Sequence, residues 1–193
     1  MKRYIYFALL IYFVVVLLSI NVNAQPTIYL VRHAEKIPAW VGRQLDAYHP
    51  LSADGVATAS VVSNYFKSKK IHGIYSSTTT RTLHTAFPLS ESKKIAILTE
   101  KACMDTSAID GFLKKLNKEF GAEQSVVLFS HSNIIPYLLI KSGLRGACYK
   151  DAGIVTSDQT TWLLIQEYDH IWKIEPGKPN KRKCSDFQRI KFK

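Results

Sequence analysis

The sequence predicts an α/β domain of three layers, with a mostly parallel central sheet between helices. Short apolar runs typical of buried strands alternate along the chain with stretches of helical period. Three of these strands end in basic, imidazole or hydroxyl side chains. Because the carboxyl ends of parallel strands meet at one edge of a sheet, we expect those side chains to share a crevice.

The first strand is predicted over residues 28–31, four consecutive apolar residues followed directly by Arg32 and His33. A guanidinium offers a planar fork of donors that suits phosphate, and an imidazole can attack phosphorus or transfer a proton. A surface pair that closes a strand would explain these two residues equally well in isolation. The interpretation therefore depends on the rest of the chain.

The next segment, residues 36–52, is too rich in breakers for a long helix and predicts a loop at the crevice. We expect Trp40 and Arg43 to line its mouth, although packing of Trp40 on the sheet edge is an open alternative. Ser52 then predicts the N-cap of a helix over residues 53–68.

A second strand is predicted over residues 73–75, followed by the hydroxyl-rich run at 76–80 and by Arg81. The run is typical of a helix start, and we expect that helix to end near Phe87 because Pro88 follows. The first turn of such a helix favours an anion, which places Arg81 where phosphate would bind.

The remaining elements follow the same alternation. A strand over 95–98 leads to Glu100 and a loop containing Asp105, and a helix follows over 107–120. A buried strand over 126–129 ends in His131, Ser132 and Asn133 before a helix over 134–141. A closing β-hairpin is predicted from residues 160–166 and 171–174.

The two chain ends differ from this body. Residues 1–24 have a basic start, an apolar run over 4–20 and small residues before Ala24, which predicts a signal peptide; an uncleaved membrane anchor is the alternative. Both imply export, to a periplasmic or secreted location. Residues 25–177 form the predicted domain. Residues 178–193 hold seven basic residues and one acidic residue of a chain with net charge +11, so we predict a basic tail, solvated and partly disordered, that could attract an anionic surface without specific nucleic-acid binding.

The three cysteines, Cys103, Cys148 and Cys184, allow one intrachain disulfide in an oxidising compartment, and the sequence does not choose among the three pairings. No cysteine or histidine cluster has metal-ligand spacing. We therefore expect no metal and no cofactor.

Four segments together resemble the histidine phosphatase superfamily, which has the phosphoglycerate-mutase-like fold. They are Leu30-Val31-Arg32-His33-Ala34-Glu35, Leu51-Ser52-Ala53-Asp54-Gly55, Ile74-Tyr75-Ser76-Ser77 with Arg81-Thr82 and Thr85-Ala86, and Ser130-His131-Ser132-Asn133. Serine at 130 and threonine at 78 depart from the residues common there, glycine and proline. The large lid of the mutases is absent, because only about two dozen residues separate Glu100 from the next strand. This favours hydrolysis over mutase exchange.

The resemblance implies that His33 is a nucleophile that forms phosphohistidine, with Arg32, Arg81 and His131 around the phosphoryl group. Glu100 is the first choice for the general acid, and Asp105 is the alternative. Ser132 and Asn133 could donate hydrogen bonds to phosphate, although helix capping explains them too.

The implied function is an exported phosphomonoesterase for small phosphate esters, for example envelope phosphosugars. A non-catalytic binding protein for anionic ligands and a protein phosphohistidine phosphatase are the alternatives.

Overall fold

The computed structural model describes residues 25–38, 43–157 and 161–192. A six-stranded sheet forms its centre, in the order β3-β2-β4-β1-β7-β8, and β5 and β6 form a separate pair. The strands are β1 (Thr27–Arg32), β2 (Gly73–Ser76), β3 (Ile97–Thr99), β4 (Ser125–Ser130), β5 (Val155–Thr156), β6 (Leu163–Leu164), β7 (His170–Ile174) and β8 (Phe187–Lys191). Strands β3, β2, β4 and β1 are parallel to one another, and β7 is antiparallel to both of its neighbours, β1 and β8. The predicted α/β class with a mostly parallel sheet is confirmed.

Helices cover both faces of this sheet. The α-helices of the described residues are α1 (Ala53–Tyr65), α2 (Thr80–Lys93), α3 (Ile109–Glu119) and α4 (Ile135–Lys141). Along β1, Ile28 and Leu30 join the core beneath α3 and α4, whereas Tyr29 and Val31 join the core beneath α1 and α2. Alternate side chains thus enter different cores, which explains why the strand is apolar without interruption. Within the described part of the chain no helix is long and apolar enough to cross a membrane.

Two helix predictions met different outcomes. Ser52 caps α1 as predicted, since its Oγ accepts a hydrogen bond from the Gly55 N–H. The predicted stop of α2 at Pro88 is wrong, because the helix continues to Lys93 with the proline inside it. Leu89, the residue after the proline, is fully buried. Packing of this turn against the sheet offsets the hydrogen bond that proline cannot donate.

The segment after residue 177 corrects two expectations. It is not a solvated tail: β8 pairs with β7 along its whole length, and Cys184 forms a disulfide with Cys148. The predicted hairpin is also wrong, because β6 pairs with β5 and the hairpin partner of β7 is β8. Cys103 is the buried free cysteine.

Arg182 anchors this segment in the interior. The side chain is 3% exposed, and its terminal nitrogens donate to Gln25 Oε1, the Ser142 carbonyl and the Glu175 carbonyl at 2.5–2.8 Å. Three protein oxygens therefore offset the cost of burying the guanidinium. The contact joins the start of the described chain to the end of α4 and to the end of β7.

Candidate active site

The strand ends meet as predicted at the carboxyl edge of the parallel sheet. His33 follows β1 and His131 follows β4, and the two strands are paired in register up to Arg32 and Ser130. The His33 backbone N–H continues the ladder by donating to the Ser130 carbonyl at 2.9 Å. The two imidazole rings consequently face each other with centroids 5.3 Å apart.

The surroundings of His33 determine which nitrogen can react. The residue is 6% exposed, and its Nδ1 lies 2.8 Å from the Ala34 carbonyl oxygen. A carbonyl only accepts, so Nδ1 carries the proton and Nε2 keeps a lone pair. Burial lowers the pKa of His33 to about 3, against the hydrogen bond to Ala34, and the charges of His131, Arg81 and Arg32 act in the same direction as burial. A neutral imidazole with a fixed tautomer is what a nucleophile at phosphorus requires.

His131 is oriented by hydroxyl groups from the β2–α2 connection. Its Nε2 lies 2.9 Å from Ser77 Oγ, which also contacts the hydroxyls of Thr79 and Thr82. Burial and the nearby Arg81 charge lower the pKa of His131 to about 4. The hydroxyl run predicts a helix start from sequence alone, and no local pattern indicates its contact with His131.

Arg32 is held by the segment that precedes β7. Its Nη2 donates to the Tyr168 hydroxyl at 2.8 Å, its Nη1 donates to the Gln166 carbonyl, and its Cζ lies 3.7 Å from the centre of the Tyr168 ring. The Tyr168 ring is also 6.1 Å from the His33 ring. Burial lowers the pKa of Arg32, although Tyr168 opposes this shift. Tyr168 is thus a site residue that the sequence analysis missed.

Arg81 lies in the first turn of α2 as predicted, and its guanidinium forms an ion pair with a carboxylate. Its Nη2 is 3.0 Å from Asp46 Oδ2, and its Nη1 donates to the Asp46 backbone carbonyl at 2.7 Å. Partial burial acts to raise the pKa of Asp46, but the charges of Arg81 and Lys36 lower it below its ordinary value. Asp46 belongs to the short 3-10 helix Arg43–Tyr48, in the predicted loop. Asp46 is thus a second site residue that was not predicted from the sequence.

The two predicted acids are bonded to their own turns and not to the basic residues described above, although Asp105 also lines the larger part of the adjoining pocket. Glu100 accepts from the Ala102 N–H at 3.3 Å and faces Lys115 Nζ at 3.9 Å, so its carboxylate caps a turn and points toward α3. Asp105 accepts from the backbone and hydroxyl of Ser107, and these hydrogen bonds lower its pKa to about 2. A carboxyl group that stays ionised in this way is a poor proton donor. The geometry therefore favours neither as the general acid.

The pocket beside the basic residues has two connected parts. The inner part, about 280 Å³, is lined by Asp46, Arg81, His131 and Asn133, among others. The outer part, about 410 Å³, shares Asn133 with the inner part and extends to the exposed Trp162. Volumes of this size hold a small organic molecule beside a phosphoryl group.

The structure brings one of the other predicted binding residues, Asn133, to the pocket. Asn133 lines both parts of the pocket, whereas the Ser132 carbonyl accepts from the Ile165 N–H. Arg43 starts the 3-10 helix, but its side chain lies outside the described part of the structure, as does Trp40. Within the described residues no group of three or more histidine, cysteine or acidic side chains could hold a metal.

Comparisons with known proteins agree with this arrangement. The family model described as "Histidine phosphatase superfamily (branch 1)" matches residues 28–110. No curated protein sequence matches the chain.

Solved structures share the fold at low identity. The protein histidine phosphatase SixA complexed with tungstate is 14% identical, with a TM-score of 0.60 and coverage of 86% of this chain and 96% of the other. A mycobacterial glucosyl-3-phosphoglycerate phosphatase complexed with VO3 is 13% identical, with a TM-score of 0.61 and coverage of 86% and 97%. Phosphoglycerate mutase from Bacillus anthracis is 14% identical, with a TM-score of 0.54 and coverage of 88% and 93%. The chain therefore has the phosphoglycerate-mutase-like fold, and its residues 28–110 match the histidine phosphatase superfamily.

Proposed function

We propose that the protein is an exported phosphomonoesterase that hydrolyses small, water-soluble phosphate esters through a phosphohistidine on His33. The observation that carries this proposal is the His33 ring, whose Nδ1 proton is tied to the Ala34 carbonyl beside His131 and two arginines. Two neighbouring structures contain tungstate or VO3, oxyanions that resemble phosphate. The presence of these oxyanions in proteins of the same fold supports a phosphate ester as the ligand.

The first chemical step is attack of His33 Nε2 on phosphorus. The Nε2 lone pair forms the P–N bond while the bond from phosphorus to the ester oxygen breaks. Arg32 and Arg81 supply fixed positive charge around the phosphoryl oxygens, and the neutral His131 donates a hydrogen bond there. These interactions stabilise the transition state. Since these groups supply the charge themselves, the proposed step uses no metal ion.

The leaving alcohol needs a proton, and we assign that proton to Asp46. In the resting structure the Asp46 carboxylate lies on Arg81, at the place where a phosphate oxygen would bind. An arriving phosphate dianion takes over Arg81 and sets its own charge beside the carboxylate, which raises the pKa of Asp46. The protonated Asp46 then gives its proton to the ester oxygen.

The second step regenerates the enzyme. Water attacks the phosphorus of phosphohistidine, Asp46 takes a proton from that water, and the P–N electron pair returns to Nε2 as orthophosphate forms. One carboxyl group thus serves as acid and then as base. We assign to Asp46 the role that the resemblance gave to Glu100, because the carboxylate of Asp46 lies against Arg81, whereas that of Glu100 caps the turn at Ala102.

The outer pocket supports a substrate with an organic part of sugar size. Met104, Ile134 and the exposed Trp162 provide apolar surface there, and Lys101 and Asn133 provide donors. An envelope phosphosugar fits this mixture of surfaces. The disulfide between Cys148 and Cys184 supports the exported location, because such bonds persist in oxidising compartments.

The test is turnover by the purified full chain of p-nitrophenyl phosphate and a panel of phosphosugars, with and without chelator. We expect hydrolysis that is insensitive to chelator and absent in His33→Ala. Rapid quenching without acid, followed by mass spectrometry, should locate phosphate on His33. Phosphate on another residue, or activity that requires a metal, would overturn the mechanism. A phosphorylated histidine-carrier protein in the same panel tests the protein phosphatase alternative.

A further inference from the structure

The charge of this protein is concentrated on one side of the sheet. We call this side the basal face: the surface at the amino ends of the parallel strands, made by residues 63–72, 90–96, 117–125, 141–146 and 175–186. These segments contain twelve lysines and arginines and five acidic residues, a net charge of +7 in a chain whose total is +11. Because Lys2 and Arg3 account for a further +2, the remainder of the chain is close to neutral.

Topology explains how the basal face arises. Helices α1, α2, α3 and α4 run back from the site edge, so their carboxyl ends, which favour cations, lie at the opposite edge. Residues 178–183 then add charge that no helix end requires, and Gly143 lies directly against Pro179 there. Exposed cations of the basal face include Lys67, Lys70, Lys94, Lys178, Lys181 and Lys183.

The amino-terminal apolar run is connected to this same face. Gln25, the first described residue, is bonded through its side chain to Arg182, between Lys181 and Lys183. The preceding residues include the almost continuous apolar run over 4–20. Only four residues separate that run from Gln25, so an apolar segment that enters a bilayer would bring the basal face to its surface.

A polar hollow also opens at the basal face. It has a volume of about 210 Å³ and lies between the carboxyl ends of α1 and α2, lined by Ser63, Asn64, Lys67, Ser92 and Lys93. The two serine hydroxyls are 3.3 Å apart. Hydroxyl, amide and ammonium groups in one hollow are donors that suit an anionic headgroup.

We propose that the basal face docks on an anionic lipid surface and that the active site consequently faces away from the bilayer. His33 and Gln25 lie at opposite ends of β1, a strand of six residues that spans about 20 Å. A site at that height cannot reach the phosphate of a lipid beneath the protein. The orientation, which rests on the proposed function for this last step, therefore selects soluble esters as substrates.

Nucleic acid is the competing polyanion, and the connection of the apolar run to the basal face favours the bilayer. The attraction of one lysine to an anionic surface is about 1 kcal/mol, which favours the lysine at the surface over the lysine in solution about five-fold. The attraction acts within one Debye length, which shrinks from about 10 Å at 0.1 M salt to about 3 Å at 1 M. Docking should therefore be reversed by salt even where the apolar run stays inserted.

The experiment uses the full chain in lipid nanodiscs made of phosphatidylcholine alone or with phosphatidylglycerol. Lysine acetylation by a water-soluble reagent is followed at single residues by mass spectrometry. We expect Lys70, Lys178 and Lys181 to react about five-fold more slowly in the anionic discs at low salt, and to recover at 1 M salt. Lys114, an exposed residue in the middle of α3, is the internal control and should react equally in both discs.

A charge-reversed chain provides the second arm. Lys178→Glu/Lys181→Glu/Lys183→Glu should remove most of the protection of Lys70, whereas Lys114→Glu should leave it. Equal labelling of basal lysines in the two discs would overturn the proposal, as would an oligonucleotide that protects them at a lower concentration than the lipid does.

The substrate consequence is measured separately in the same anionic discs. Docked protein should hydrolyse added p-nitrophenyl phosphate and leave phosphatidic acid in the disc intact; hydrolysis of the lipid would refute the orientation. Labelling does not depend on turnover. A protein that docks without hydrolysing any ester would contradict the proposed function while sustaining the docking.

Discussion

Replacement of Asp46 by asparagine separates the two tasks that its carboxylate has in the proposed reaction. At rest the carboxylate occupies Arg81, with a 3.0 Å contact from Oδ2 to Nη2, and so competes with phosphate. During turnover it carries the proton of the leaving alcohol. Asparagine has nearly the same size and lacks both the charge and the proton. We therefore expect binding and turnover to change in opposite directions in Asp46→Asn.

The magnitudes follow from the exposure and chemistry of the pair. The Asp46 side chain is 61% exposed, so its ion pair with Arg81 is worth at most about 1 kcal/mol. The inhibition constant of inorganic phosphate should fall by up to about five-fold. Loss of the proton donor should lower kcat by about 10²- to 10⁴-fold for an alkyl phosphate. For p-nitrophenyl phosphate kcat/KM should change little, because it reports the phosphorylation step and p-nitrophenolate departs without a proton. Its kcat should fall, because hydrolysis of the phosphohistidine loses its base.

The assay is a steady-state measurement of kcat and KM for both esters, with phosphate as inhibitor. Glu100→Gln is the matched control, since that carboxylate contacts the Ala102 N–H and Lys115 outside the pocket. It should affect both esters equally. The reasoning is refuted if Asp46→Asn lowers kcat/KM of both esters by one factor, or if Glu100→Gln shows the dependence on the leaving group.

Three further predictions concern the disulfide, the Arg32 support and the buried nucleophile. Cys148→Ser/Cys184→Ser should lower the free energy of unfolding by about 4 kcal/mol, from the 36-residue separation, in urea titrations. Tyr168→Phe keeps the ring beside Arg32 but removes the hydroxyl acceptor, so KM should rise a few-fold with kcat little changed, and Tyr168→Ala should lower both binding and kcat. Burial lowers the pKa of His33 from 6.5 to about 3, so below pH 6.5 the unfolded chain binds a proton that the folded protein does not. From this residue the free energy of unfolding should fall by about 1.4 kcal/mol for each pH unit between pH 6 and 4. In His33→Asn the free energy of unfolding should fall less steeply with pH.

Each of these has a clear contrary outcome. Unchanged stability without the disulfide would mean that β8 holds the segment alone. If Tyr168→Phe and Tyr168→Ala had equal kinetics, the ring of Tyr168 would not hold Arg32 in position. Parallel stability profiles of His33→Asn and the parent chain would show that the imidazole is not kept neutral by burial.

The strand-end residues were predictable because local patterns determine them. The apolar run before Arg32 is typical of a buried strand, and the chain after such a strand emerges at the site edge. The same logic applies to His131 after β4. Arg81 followed from the helix start, although the carboxylate on it did not.

Asp46 and Tyr168 could not be predicted in the same way. Both lie in irregular segments whose positions depend on contacts with distant parts of the chain: Asp46 with Arg81, and Tyr168 with Arg32, 136 residues away. Glu100 matched a family pattern in the sequence, yet the turn after β3 uses its carboxylate as a cap. Local pattern carries no information on where such a side chain points.

The last segment misled for a different reason. Proline, glycine and seven basic residues are typical of a solvated end. The few apolar residues of β8 are too widely spaced among them to predict a strand. The signal that could have found its true structure is Cys184, since a disulfide in an exported chain ties its segment to the domain.

Strand β8 has a practical consequence for anyone who shortens this chain. It shields the outer edge of β7, whose Trp172 and neighbouring isoleucines form a strongly apolar strand. Removal of the last residues would leave unpaired amides and carbonyls of β7 open to other molecules, a template for intermolecular pairing. Arg189 and Lys191 on β8 discourage such growth in the intact protein. Truncated material should therefore precipitate on expression, whereas a tag added after Lys193 should be tolerated.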